Sequence, residues 1–117
     1  MEAGTKPHPP VIVGGAFRLA ARRAIRYGDG ILPAAPRAGS GSPEEFMPRW
    51  RQMAEEAGRD AASLSVTLGG APEDLAVLQR NRDLGVTRMT VRLPAAKEDE
   101  ILPTLDRWAR LIPQVRA

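Results

Sequence analysis

With 117 residues the chain has the length of one ordinary domain, residues 1–117, and its 43% hydrophobic content can supply a single core. The net charge of +3 is a small imbalance between 17 basic and 14 acidic side chains, so nucleic acid is not an expected partner. The lack of cysteine excludes disulfides and thiolate chemistry, and one histidine without a ligand-spaced carboxylate pair beside it predicts no metal. No apolar run approaches a membrane span and Met1 to Lys6 lacks a signal-peptide core, so the expectation is a cytoplasmic protein with no membrane partner.

Residues 1–10 read as a lead-in that ends in Pro9-Pro10. Val11 to Val13 is a short unbroken apolar run, the pattern of a parallel strand buried on both faces. Gly14 and Gly15 then let the chain turn sharply into a helix, leaving the amides of Ala16, Phe17 and Arg18 at a positive helix end; the pattern fits a phosphate site and equally an ordinary strand-to-helix turn. In that helix Phe17, Ala20, Ala21 and Ala24 share one face and Arg18, Arg22 and Arg26 another, which predicts packing on a sheet with a solvated basic face. Gly28 stops it, Asp29 reads as a turn or capping residue, and Gly30 to Pro33 forms the second strand before a flexible loop over Ala34 to Gly41.

Ser42, Pro43 and Glu45 combine a capping serine, proline at the first helical position and a glutamate three residues on, so a helix starts there. Its apolar face is Phe46, Trp50, Met53, Ala54 and Ala57, and Gly58 ends it. Leu64 to Leu68 alternates as a third strand, and Gly69-Gly70 turns the chain into a helix opened by Pro72 and two acids, buried through Leu75 and Leu78 and ended by Gly85. Thr87 to Leu93 is the expected fourth strand, with Arg88, Thr90 and Arg92 on a polar face from which Arg92 can reach an anion. A last helix from Glu98 is expected to bury Ile101, Leu102, Leu105, Trp108 and Ile112. The order is (βα)4, which predicts a parallel sheet with right-handed crossovers and a ligand at the carboxyl ends of its strands.

His8, held between Pro7 and Pro9, reads as a surface residue rather than a catalytic one. No serine–histidine–aspartate set or supported carboxylate pair is present, so no catalytic residue can be named.

Four segments, Pro9 to Gly30, Ala54 to Thr67, Gly70 to Val86 and Leu93 to Pro103, together resemble the carboxyl-terminal half of the luciferase-like monooxygenases, and most of all their F420-dependent members. The resemblance implies half of a (β/α)8 barrel and a cofactor, coenzyme F420 or FMN, whose phosphate lies at the turn of Gly14, Gly15 and Ala16, with Gly69, Gly70 and Ala71 on the same rim. Phe17 departs from the family pattern, which has Gly or Ser there, and its ring is expected in the phosphate pocket; Arg18 beside it could add a charged contact. The implied chemistry is hydride transfer, completed by a second half. The alternative is a non-catalytic half-barrel or assembly module. Open strand edges on a four-stranded sheet lead to the expectation of a homodimer or a complementary half-barrel as partner.

Overall fold

The structure, a computed structural model, describes residues 9–36 and 39–116. His8 and the rest of the lead-in before Pro9 lie outside the described residues, as do two positions of the loop after the second strand. Strands β1 (Ile12–Gly15), β2 (Gly30–Pro33), β3 (Ser65–Leu68) and β4 (Arg88–Met89) form one parallel sheet in the order β1-β2-β3-β4. Helices α1 (Phe17–Tyr27), α2 (Pro43–Glu56), α3 (Leu75–Leu84) and α4 (Glu98–Arg116) follow the strands in turn, so the chain is a (βα)4 unit, the repeat of which eight make a closed barrel.

The core forms where α1 and α2 lie on the sheet. Strand alternation sends Val13, Ile31 and Val66 to the helical side, where all three are buried with Phe17, Phe46 and Trp50. Ala20, Ala21 and Ala24 of α1 are fully buried, and their short side chains let the helix approach the strands closely. The opposite face of the sheet lacks such cover: Ile12 is 38% exposed and Leu32 40%. Val11 is exposed as well, so the expectation that the first strand is buried on both faces fails; β1 is an edge strand with helices on one side. Gly30 is required by close approach, since a Cβ there would lie 2.0 Å from Ser65 Oγ and 2.7 Å from the Ser65 carbonyl oxygen on the neighbouring strand.

Local signals set most boundaries. At the start of α2 the Glu45 carboxylate accepts from both the amide (2.8 Å) and the hydroxyl (3.0 Å) of Ser42, and these bonds hold the Glu45 carboxyl below its ordinary pKa. Asp29 links the strand ends: its carboxylate accepts from the Val11 amide at 2.7 Å and its own amide donates to the Val11 carbonyl at 2.7 Å. Three expectations need correction. Helix α3 begins at Leu75 rather than at Pro72, because the Asp74 carboxylate accepts from the amides of Ala76 and Val77 and so acts as the cap. The fourth strand is two residues long; β3 ends at Leu68 and the chain turns back, so beyond Thr90 no backbone remains for Val91 to Leu93 to pair with. Helix α4 buries none of the residues expected to be buried, because it leans on α3 instead of covering a broad sheet: Leu102, Leu105 and Ile112 are 40–48% exposed, and Ile101 and Trp108 are half-buried.

Arginines tie the units together at helix ends. Arg59 Nη1 donates to the carbonyls of Ala24 (3.1 Å), Ile25 (3.1 Å) and Gly28 (3.0 Å) at the end of α1. Arg51 from α2 reaches the Leu84 carbonyl at the end of α3, and Arg82 from α3 reaches the Val115 carbonyl near the end of α4. Each guanidinium meets carbonyls in the last turn of a helix, at the negative end of the helix dipole.

Candidate functional site

The carboxyl ends of the four strands open into one groove of about 820 Å³. Its lining is backbone-rich: Gly14 and Gly15 end β1, Leu32 and Pro33 end β2, and Leu68 ends β3 with Gly69, Gly70 and Ala71 directly after it. Gly15 (φ +121°) and Gly70 (φ +66°) are in conformations that other residues rarely adopt, and a Cβ on either would meet no atom within 4 Å. Backbone geometry alone therefore requires glycine at these two turns, and both present main chain to open space. Phe46 and Met89 add apolar wall, while Glu44, Arg80, Asn81, Thr90 and Arg92 are the polar side chains that line the groove. Arg80 and Glu44 are paired across the rim at 3.1 Å.

Of the residues expected at the site, Gly14, Gly15, Gly70 and Ala71 are brought together in the groove, with Gly69. Ala16, Phe17 and Arg18 are not among its walls. The Phe17 ring is 3% exposed and stacks on Phe46 with centroids 5.0 Å apart, so it belongs to the core and does not fill the expected phosphate pocket. Its amide is also engaged, donating to Ser40 Oγ at 3.1 Å, so the start of α1 is capped from a distant loop rather than left open. Ala16 contributes its carbonyl to the Ala20 amide, and Arg18 lies exposed on the outer side of α1. At the other turn the Ala71 amide donates to the Thr90 carbonyl at 2.9 Å, which closes Gly69-Gly70 against the end of β4.

Sequence reasoning passed over Ser40, Glu44, Arg80 and Asn81. Ser40 sits in a small-residue loop with no signal to mark which hydroxyl returns to the sheet. Arg80 and Asn81 follow the buried Leu78 within α3, and helical period does indicate that α3 could aim them at the strand ends. Among the described residues no group of three or more His, Cys, Asp or Glu is placed to hold a metal ion.

A model of the luciferase-like monooxygenases matches residues 1–72, from the lead-in through all three of β1, β2 and β3 to the glycine turn after them. The chain belongs to the luciferase-like monooxygenase family. No curated protein and no solved structure matches it. Within this luciferase-like chain the family match covers the turns at Gly14-Gly15 and Gly69-Gly70 and stops before α3, so Arg80, Asn81, Thr90 and Arg92 come from the part beyond it.

Proposed function

We propose that this luciferase-like chain forms the cofactor-phosphate side of an oxidoreductase that uses coenzyme F420 or reduced flavin, and that it corresponds to the carboxyl-terminal half of the family barrel. One observation carries the reading: two glycine turns, at the ends of β1 and β3, line a single groove with open space above them. Groups of this kind suit a phosphate, which backbone amides approach closely only where no side chain intervenes. The backbone of Gly14 and Gly15 would hold the phosphate, Gly70 and Ala71 would border the same groove, and Leu32, Pro33, Phe46 and Met89 would exclude water from the apolar part of the ligand. When bound, the cofactor supplies hydride transfer, and the protein supplies position and environment.

The test is titration of the chain with FMN and with F420, read by the cofactor's own fluorescence. Binding that free phosphate weakens, and that Gly15→Val abolishes while circular dichroism shows the fold intact, supports the proposal. Unchanged affinity in Gly15→Val overturns the placement at β1, and no binding at high micromolar cofactor overturns the function.

The uncovered sheet face favours a second reading, an assembly module that pairs with another copy or with a complementary half-barrel. Ile12 and Leu32 expose apolar surface on that face, and β1 and β4 carry unpaired edges. Light scattering after size exclusion at micromolar concentration decides it, since a folded, monodisperse monomer would contradict self-pairing. No helix among the described residues is long and apolar enough to cross a membrane.

A further inference from the structure

We infer that the β3–β4 end of the groove is a second anion site, with Arg92 as its charged contact, which takes the phosphate or carboxylate of a substrate; the inference rests on the groove being the cofactor groove proposed above. Three side chains with full charge line the groove: Arg80, Arg92 and Glu44. Arg80 and Glu44 neutralise each other at 3.1 Å. Arg92 is exposed and has no ion pair or hydrogen bond to the other described residues, so it is the uncompensated charge of the groove. An unpaired guanidinium in a concave wall raises the local concentration of anions and can hold two oxygens of one anion in a fork.

The backbone leading to it is anchored at Thr90. Thr90, two residues before it, is pinned on both sides: its amide donates to the Leu68 carbonyl and its carbonyl accepts from the Ala71 amide, both at 2.9 Å. The Thr90 side chain and Gly70 share this corner of the groove, and the open conformation of Gly70 leaves room for a ligand. The corner is separate from the Gly14-Gly15 turn. Those glycines end β1, and three strand-to-strand steps lie between β1 and β4, about 14 Å at the usual spacing. One phosphate cannot occupy both ends. A cofactor phosphate at β1 therefore leaves Arg92 to a different anionic group at the other end of the same groove.

The experiment uses inorganic phosphate and acetate as probes, at ionic strength matched with chloride, on isotope-labelled chain followed by nuclear magnetic resonance. Wild type should show saturable shifts of the Arg92 side-chain Nε–H and the Gly70 and Thr90 amides. Arg92→Gln should weaken the response at least tenfold, and Arg80→Gln should leave the Arg92 response in place. Gly15→Val should keep this response while losing FMN, which separates the two ends of the groove. A phosphate response without FMN binding in wild type would remove the cofactor reading and leave the anion site standing. The site is overturned if Arg92 shows no saturable shift or if Arg92→Gln binds the probes as wild type does. The assignment to substrate is overturned if Arg92→Gln, and not Gly15→Val, is the variant that loses FMN.

Discussion

Replacing Arg59 by alanine should remove a single nitrogen that holds the end of α1 in place. Nη1 lies within 3.1 Å of three carbonyl oxygens but carries two protons, so it makes at most two full hydrogen bonds with the third contact shared. One of the three, Ala24, keeps the Gly28 amide as a partner at 2.7 Å when the guanidinium is gone. A hydrogen bond to a charged group is worth roughly 1.5–3 kcal/mol, and the site is partly buried, so water can solvate part of what is exposed. With a helix-dipole contribution of about 0.5 kcal/mol, the expected loss is about 2–3 kcal/mol. At roughly 4 °C per kcal/mol for a domain of this size, the melting temperature should fall by about 10 °C. Urea unfolding followed by tryptophan fluorescence measures it, since Trp50 is 1% exposed and reports on the core. Arg59→Lys should recover about half, because an ammonium is a point charge without the planar fork. A loss below about 0.5 kcal/mol in Arg59→Ala would refute the account of this contact as a helix-end clamp.

Phe17→Ser should act on stability rather than on ligand affinity, since the ring is in the core against Phe46; a loss of about 3–5 kcal/mol in urea unfolding is expected, and a stable variant with tighter cofactor binding would contradict that placement. Glu45, whose carboxyl is lowered from 4.5 by its bonds to Ser42, should stabilise the start of α2 fully above about pH 5 and lose that contribution as pH falls through its depressed value. The stability difference between wild type and Glu45→Ala should accordingly be constant at neutral pH and shrink in acid; a difference that grows in acid would reverse the sign of the argument.

Features governed by neighbours in sequence were legible, and those governed by neighbours in space were not. The buried face of α1 follows from a period of 3.6 residues through Phe17, Ala20, Ala21 and Ala24, and Ser42, Pro43 and Glu45 mark the start of α2 without any tertiary information. The positions of the glycine turns were likewise visible, because two glycines directly after an apolar run mark where a strand ends. The length of β4 depends on where β3 stops, and the exposure of α4 depends on how little sheet lies beneath it, so neither could be read from Thr87 to Ile112 alone. The Ser40 cap spans 23 residues and the Arg59 clamp more than 30, and no local pattern announces such partners.

The sheet order has a consequence for how the chain reaches this state. Each strand pairs with the strand next to it in sequence, over separations of about 20 to 35 residues, so no pairing waits for the whole chain. A nascent polypeptide can add one βα unit at a time to a preformed edge, with β1 and α1 as the first platform. The opposite order applies to loss of structure. The unit of β4 and α4 has the shortest strand, at the sheet edge, and the least buried helix, so amide exchange should begin there and reach the α1–α2 core last.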